Sequence, residues 1–458
     1  MAPVSTPVCD FVEKYVRQNP LRLHMPGHKG LGETERLDIT EVTGAPAIYP
    51  AGGILLESER RAAALFGAGR TVYSAEGSSL CVRAMLLLAK LQAMEAGRAP
   101  VILAGRNAHR SFLSALALTD LSAEWLWGDS LLTCTPSPDR VAKALDAMET
   151  PPAAVYLTSP DYLGFRADIT GIARLCHDRG VPLLVDNAHG AYLRFLPRDQ
   201  HPLSLGADLV CDSAHKTLPV LTGGAYLHIH RDAPAVFARE AERAMSLFAS
   251  TSPSWLILQS LDRANALLEE DFPSALADFL PLAEASRERI RAMGYDVLNT
   301  EELKVTLAPK SRGCTGEELH RALRETGIEG EFADPDFLVL MLSPATGAAG
   351  LARLEEALAR LPRRAPLREA PPSPPRARRM ASPREAMLNP TEVRPLEQCL
   401  GRVLADPCVS CPPAVPILMC GEVIGEDAIR CFAYYGRTEL TCSRLPGRNE
   451  REEETGWR

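Results

Sequence analysis

Short apolar runs alternate with amphipathic stretches between about residues 57 and 240. Helical patterns such as Leu55–Phe66 and Leu80–Met94 separate these runs. The runs are VILAG (101–105), AVYLT (154–158), VPLLVD (181–186), DLVCD (208–212) and GAYLHIH (224–230). Runs rich in Val, Ile and Leu and spaced by helices predict parallel strands that are buried on both faces. The pattern therefore indicates an α/β domain, with a mostly parallel sheet of the seven-stranded type flanked by helices.

The rest of the chain divides into smaller segments. Strand patterns in YDVLN, LKVTLAP and FLVLMLS alternate with helical patterns after Gly294 and predict a smaller α+β domain. A stretch rich in Pro and Arg follows and is typical of an exposed linker. The predicted segments are an N-terminal arm (1–40), a major domain (41–290), the small domain (291–361), the linker (362–383), a C-terminal domain (384–445) and a disordered tail (446–458).

Composition excludes several classes of protein. The chain has 458 residues, of which 46% are hydrophobic and 24% charged, so it is neither mostly disordered nor fibrous. A net charge of -8 argues against a dedicated nucleic-acid binder, which needs a basic surface. No apolar stretch is long enough to span a membrane, and the N-terminus has no apolar signal core. Together with the scattered cysteines, which we interpret as reduced thiols, this predicts a cytoplasmic protein.

The close cysteine pair Cys408 and Cys411 could suggest zinc. A zinc site needs a second pair of soft ligands, and no second Cys-x2-Cys accompanies it. The His24-x3-His28 spacing lies at the other end of the chain in a Gly-rich loop. We interpret the two cysteines as ordinary thiols in a loop, and we predict no metal.

Ionisable residues follow three of the predicted strands. Asp186 ends one strand and is followed by His189, while Ser213, His215 and Lys216 come just after another. His109 follows a third. Because open parallel sheets bind ligands beyond the carboxyl ends of their strands, we expect these groups at one edge of the sheet.

Lys216 and Asp186 suggest a specific chemistry. A lysine in an apolar, loop-rimmed site can lose its proton and attack an aldehyde, although Lys216 could equally be a surface lysine on a turn. The apolar lead-in to Asp186 makes an unpaired carboxylate costly, so a cationic partner is expected, such as a protonated pyridine nitrogen. Asp186 could instead be a helix cap or a strand-end ion pair.

A small-residue motif precedes the helix that starts near Leu80. Gly77, Ser78 and Ser79 would expose free backbone N–H groups at a helix N-terminus, which is an anion site. Alternatively, Ser78 or Ser79 is only the helix cap. The combination of the three motifs suits pyridoxal phosphate (PLP), with a Schiff base on Lys216, Asp186 at the ring nitrogen and the two serines at the phosphate.

The sequence resembles the Orn/Lys/Arg decarboxylase family of fold-type-I PLP-dependent enzymes. The most specific matching segments are the HMPGHKG loop at 24–30 and DSAHKTLPVLTGGAYLHI at 212–229. Others are EVTGAPAIYPAGGILLESERRAAALFGA (41–68), RNAHRS (106–111), VDNAHGAY (185–192), TSPSWLILQSLD (251–262) and PPAVPILMCGEVIGEDAI (412–429). The family's N-terminal receiver-like domain is absent, so we expect a short form that does not build very large rings. The usual phosphate-loop Asn is missing, and Cys420 replaces a usual Pro.

The resemblance implies a role for each matching residue. Lys216 resembles the Schiff-base lysine, Asp186 the partner of the pyridine nitrogen, and His109 the residue stacked on the ring. His215 resembles a residue of the phosphate site, and Lys216 and His215 are the two candidates for relaying protons. Glu422 is a candidate for the distal end of a basic substrate or, equally, a structural salt bridge. The other residues implied in cofactor or substrate binding are Gly77, Ser78, Ser79, Ala188, Ser213, Ser252 and His24.

The implied activity is PLP-dependent decarboxylation of lysine, ornithine or arginine to the corresponding amine, a reaction of polyamine biosynthesis. The resemblance also implies a homodimer or higher oligomer, with the segment at Thr251 and Ser252 crossing the interface. Two alternatives stay open: another PLP reaction, by an aminotransferase or a carbon–sulfur lyase, and a non-catalytic relative. The only other partner expected is the amino acid, with no nucleic acid and no membrane.

Overall fold

The computed structural model describes residues 5–127, 135–373, 375–406 and 416–445. Cys408, Cys411 and the predicted tail at 446–458 lie outside the described residues. The chain divides into two compact units. The first contains Met1–Leu103, Pro138–Ser159 and Asp168–Ala275, and the second contains Ala104–Ser137, Pro160–Ala167 and Leu276–Arg458.

The helices and strands agree with the alternating pattern. The helices are α1 (Pro7–Arg17), α2 (Gly53–Phe66), α3 (Ser78–Glu95), α4 (Arg110–Thr119), α5 (Pro138–Asp146), α6 (Ile169–Asp178), α7 (Ala214–Thr217), α8 (Ala235–Ser246), α9 (Trp255–Glu270), α10 (Phe272–Ala292), α11 (Gly316–Glu325), α12 (Gly347–Arg360), α13 (Pro383–Leu388) and α14 (Glu426–Tyr434). The strands are β1 (Arg70–Ser74), β2 (Val101–Gly105), β3 (Ser122–Leu126), β4 (Ala154–Thr158), β5 (Leu183–Asp186), β6 (Leu209–Asp212), β7 (Ala225–Ile229), β8 (Asp296–Val297), β9 (Lys304–Ala308), β10 (Phe332–Ala333), β11 (Leu338–Met341), β12 (Thr391–Pro395), β13 (Val403–Leu404) and β14 (Glu439–Ser443).

The largest sheet has seven strands in the order β1-β7-β6-β5-β4-β2-β3. β4, β5 and β6 pair in parallel, whereas β7 is antiparallel to both β6 and β1. This confirms the predicted fold class, and all five apolar runs are strands of this sheet. The sequence reading missed β1 and β3, which lie at the two edges. An edge strand such as β3, in which only Ala123 and Leu126 are buried, lacks the continuous apolar pattern of the central strands.

Two smaller antiparallel sheets belong to the second unit. One has the order β10-β11-β9-β8, and the other has the order β12-β14-β13. Buried apolar residues around β13, β14 and α14 form a separate core, which includes Leu404, Ile424 and Phe432. The predicted linker at 362–383 is mostly exposed and has almost no regular secondary structure. The predicted domain boundaries stay a prediction.

Two central strands bring the candidate residues together. All four residues of β5 and all four of β6 are buried, and Asp186 pairs in register with Cys211. The strands end at Asp186 and Asp212, so the segments that follow them leave the sheet at the same edge. This edge is where an open parallel sheet binds its ligand. Within the described residues, no helix combines the length and the apolar character that a bilayer span needs.

Candidate functional site

Lys216 lies on the short helix α7, four residues beyond the end of β6. Its side chain is half-buried, and its Nζ is 3.0 Å from Nε2 of His189. His189 is buried and follows β5 on the neighbouring strand end. A neighbouring imidazole can accept a proton from a lysine ammonium and leave the amine as a nucleophile. The sequence placed His189 at this edge of the sheet but assigned it no role.

Asp186 is buried at the end of β5, with only 2% of its surface exposed. Its carboxylate accepts hydrogen bonds from the Tyr156 hydroxyl (3.1 Å) and from the backbone N–H of Ala188 (3.2 Å), and the Cys211 thiol is 3.5 Å away. Burial, followed by the charge of Asp186, raises the pKa of both Tyr156 and Cys211 well above their ordinary values. Both groups therefore stay protonated and act as donors.

No cationic side chain forms a salt bridge with Asp186 within the described part of the chain. A buried carboxylate without a cation nearby is costly, so the site fits a cationic ligand. A protonated pyridine nitrogen meets this requirement. The helix-cap and ion-pair interpretations of Asp186 find no support in its contacts, except for the local hydrogen bond from Ala188.

The predicted phosphate site lies at the N-terminus of α3. Gly77 holds the cap position with φ 73, and it has no side chain to satisfy the N–H groups of the first turn. A Cβ at Gly77 would meet nothing within 4 Å, so the loop borders open space. Ser78 and Ser79 are therefore the first residues of the helix and not its cap. The Ser213 hydroxyl donates to Ser78 Oγ at 2.8 Å, which joins this loop to the end of β6. The arrangement fits a phosphate group.

His215 and Ser252 are tied to backbone near these loops. His215 Nδ1 lies 3.1 Å from the carbonyl oxygen of Gly224, which can only accept, so Nδ1 carries the proton and Nε2 is an acceptor in the neutral ring. Ser252 is exposed, and its backbone N–H donates to Ser250 Oγ. The Ser250 N–H in turn donates to the carboxylate of Glu76 at 2.7 Å, which attaches this turn to the phosphate loop.

His24 makes its contacts within the N-terminal segment. Its Nε2 is 2.5 Å from the Tyr15 hydroxyl, and its carbonyl oxygen accepts a hydrogen bond from Lys29 Nζ. Its predicted contact with the substrate stays a prediction.

His109 belongs to the second unit and caps helix α4. Its Nδ1 accepts a hydrogen bond from the backbone N–H of Ser111 at 3.2 Å and lies 2.8 Å from the Ser111 hydroxyl. The ring is exposed, and in its neutral form the proton is on Nε2. His109 thus presents a ring of defined tautomer, and its predicted stacking on the cofactor stays a prediction.

Glu422, also in the second unit, forms a buried bidentate ion pair with Arg106. Arg106 Nη1 and Nη2 donate to the two carboxylate oxygens at 2.9 and 2.7 Å, and the Met419 N–H donates to Oε2. Glu422 is 4% exposed and Arg106 is fully buried beneath the Trp127 ring. Of the two interpretations that the sequence allowed, this geometry favours the structural salt bridge, because the carboxylate has its cation already.

We expect Glu422→Gln to lower the thermal midpoint by several degrees and to leave the substrate KM unchanged. The reason is that removing one partner of a buried ion pair costs about 3–5 kcal/mol. Thermal unfolding and steady-state kinetics test this, with the exposed Glu426→Gln as the control. A large rise in KM at an unchanged midpoint would contradict the structural role.

The fold and this site together define a fold-type-I PLP-dependent enzyme. The family model for the major domain of the Orn/Lys/Arg decarboxylases matches residues 6–306, and the model for their C-terminal domain matches residues 371–453. The chain therefore belongs to the Orn/Lys/Arg decarboxylase family. It is a decarboxylase of basic amino acids with pyridoxal phosphate as its cofactor.

Curated relatives match over nearly the whole chain. An arginine decarboxylase of Halalkalibacterium halodurans is 30% identical and covers 95% of this chain and 94% of its own length. An arginine decarboxylase of Bacillus subtilis is 27% identical, with coverage of 94% and 93%. Among solved structures, the constitutive lysine decarboxylase of E. coli superposes with a TM-score of 0.75 at 17% identity, over 96% of this chain and 82% of that chain. This last likeness shows the fold.

Proposed function

We propose that this enzyme decarboxylates arginine and that Lys216 carries the cofactor. The observation that supports the role of Lys216 is its contact with His189 at the sheet edge where Asp186 lies buried, with no cationic partner among the described residues. The relatives named arginine decarboxylase, which match 93% or more of the chain, support arginine as the substrate. Family membership favours decarboxylation over the aminotransferase, carbon–sulfur lyase and non-catalytic alternatives.

The residues around the cofactor have distinct tasks. When bound, PLP supplies an electron sink for the bond to the substrate carboxylate. Lys216 anchors the cofactor, and His189 Nε2 accepts the proton that the lysine ammonium must lose before it can react. The carboxylate of Asp186 supplies the negative charge that pairs with the protonated pyridine nitrogen, and the Tyr156 hydroxyl holds that carboxylate in one orientation.

Binding and proton transfer fall to the remaining residues. The hydroxyls of Ser78 and Ser213 and the first-turn N–H groups of α3 bind the phosphate. His215 Nε2, an acceptor in the neutral ring, takes up or returns a proton during the cycle.

A substrate assay tests the activity. We expect the PLP-loaded enzyme to release CO2 and the corresponding amine from arginine, with kcat/KM at least about 100-fold above that for lysine or ornithine. The reason is that a site that hydrogen-bonds a planar guanidinium leaves some of its own polar groups unpaired when the substrate is lysine or ornithine, which carries a single ammonium group. Equal or greater efficiency with lysine would overturn the assignment of arginine. Release of a keto acid without CO2 would overturn decarboxylation.

We further propose a homodimer in which the Ser252 segment reaches the partner's site. Leu21, Leu23 and Leu31 lie in one segment of the N-terminal arm and are 83%, 85% and 90% exposed, which is unusual for a surface in contact with water. Analytical ultracentrifugation measures the assembly directly. A cytoplasmic location and a role in polyamine biosynthesis are part of the same proposal, and the nine described free cysteines are compatible with a reducing compartment.

A further inference from the structure

A buried polar network connects the end of β5, where Asp186 lies, with the end of β6, which precedes Lys216 by four residues. Asp212, the last residue of β6, is completely buried together with His201 and His228. One carboxylate oxygen of Asp212 accepts a hydrogen bond from Asn187 Nδ2 at 2.7 Å. The other oxygen is 2.9 Å from His201 Nε2 and 3.2 Å from His228 Nε2.

Two histidines and one carboxylate could together bind a metal ion, but the hydrogen bonds of these three residues argue against one. The backbone N–H of Leu203 donates to His201 Nδ1 at 3.3 Å, so Nδ1 carries the lone pair and Nε2 the proton. A metal-bound histidine needs the opposite arrangement, in which the outer nitrogen donates its N–H. His201 therefore donates a hydrogen bond to Asp212, and hydrogen bonds hold the cluster together in place of a metal ion.

The network keeps Asp212 ionised. Burial alone would raise the pKa of Asp212, but His201 and then His228 outweigh burial and lower that pKa well below its ordinary value. Burial also lowers the pKa of His228, whose ring stacks on Phe66 with the ring centroids 4.4 Å apart. The centre of this network is therefore a buried negative charge held by imidazole and amide donors.

The network joins two segments that each carry a group of the cofactor site. Asn187 directly follows Asp186, and Asp212 precedes the segment Ser213–Lys216. The backbone bond from Asn187 N–H to the Cys211 carbonyl (2.9 Å) ties the end of β5 to β6, and the Asn187–Asp212 side-chain bond adds a second tie beyond it. The side-chain bond fixes the placement of the two segments beyond the last backbone bond of the strand pair.

We propose that Asp212 is a positioning residue, which through Asn187 and the two histidines holds Asp186 and Lys216 in the mutual placement that the cofactor needs. This inference rests on the proposed role of Lys216. Asp212 is completely buried and bonded to Asn187 and His201, so it acts through its neighbours. We expect substitutions in this network to weaken cofactor binding and lower kcat. We expect little change in KM, because they alter none of the residues proposed to contact the substrate.

The sharpest test is Asn187→Ala, because it breaks the bond between the two segments and leaves Asp212 with both histidines. We expect it to raise the dissociation constant for PLP about tenfold, which corresponds to about 1.4 kcal/mol, the scale of one buried hydrogen bond. Asp212→Asn, which also removes the charge, is expected to have a larger effect. Both variants are measured by titrating the cofactor-free protein with PLP and following the visible absorbance.

The matched control is Asp262→Asn, the same substitution at another buried carboxylate of the first unit. Asp262 accepts hydrogen bonds from the backbone of Val8 and Cys9 and from Ser58, and has no bond to either strand-end segment. We expect it to lower the thermal midpoint while PLP affinity stays within about twofold of wild type.

Each outcome bears on a separate claim. If Asn187→Ala and Asp212→Asn lower only the thermal midpoint, and PLP affinity and kcat stay at wild-type values, the network is merely structural and the inference fails. If Asp212→Asn does not fold, Asn187→Ala decides alone. Stoichiometric metal in the purified wild-type protein would also overturn the inference. A wild-type protein that binds no PLP would instead overturn the proposed function.

Discussion

Replacement of Lys216 by alanine is expected to abolish decarboxylation, with kcat lower by at least about 10³-fold. The reason is chemical, because an aldehyde cofactor needs a primary amine as its anchor, and Lys216 is the one lysine in the sequence segments that directly follow β4, β5 and β6 (159–168, 187–208 and 213–224). Saturating PLP is not expected to restore the rate. The visible absorbance of lysine-bound pyridoxal should disappear in the same variant.

Two further variants make this result specific. Lys216→Arg keeps the positive charge but has no primary amine, so we expect it to be as inactive as the alanine variant. Lys14→Ala removes an exposed lysine on α1 and should behave as wild type. Activity of Lys216→Ala or Lys216→Arg near the wild-type value would show that another residue carries the cofactor.

Replacement of Asp186 by asparagine is expected to lower kcat by about 10²–10³-fold while the protein stays folded. Asparagine keeps the shape and can still accept from Tyr156, but it removes the negative charge that matches a protonated pyridine nitrogen. The measurement is kcat at saturating PLP and substrate, together with the absorbance spectrum of the bound cofactor, which reports the protonation of the ring.

Asp208→Asn is the control for this prediction. Asp208 is also buried next to β5 and β6 but lies at their opposite ends, where it accepts a hydrogen bond from the Leu183 N–H at 2.8 Å. We expect kcat within about twofold of wild type, because ligands bind at the carboxyl ends of the strands. Equal losses in both variants would mean that Asp186 acts through stability and not through its position.

The central strands were predictable because they are buried on both faces and carry an unbroken apolar signal. The strands β5 and β6 were predicted from the runs VPLLVD and DLVCD. The ionisable residues that follow them were placed at one edge of the sheet from the sequence alone. The strand β1 (RTVYS) carries Arg, Thr and Ser at the edge of the sheet, so its local pattern resembles a loop. Its position in the sheet depends on its pairing with β7, which lies more than 150 residues away.

The contacts of the site were less predictable than its residues. Glu422 lies in a recognised motif, but its partner Arg106 is 316 residues earlier and was matched only as part of RNAHRS. His201 lies outside every quoted motif, and His228 lies inside the matching segment 212–229, but nothing in the sequence pairs either ring with Asp212. Only the three-dimensional fold brings them to Asp212. The position of ionisable residues after a strand can be read from the sequence, but their ion-pair and hydrogen-bond partners cannot.

The account depends most on one lysine, and chemical trapping followed by peptide mapping tests it most directly. The PLP-loaded wild-type enzyme is reduced with borohydride, digested and analysed by mass spectrometry. We expect a phosphopyridoxyl group on the peptide that contains Lys216, at about one group per chain. A phosphopyridoxyl group on a different lysine, with Lys216 unmodified, would contradict the central claim.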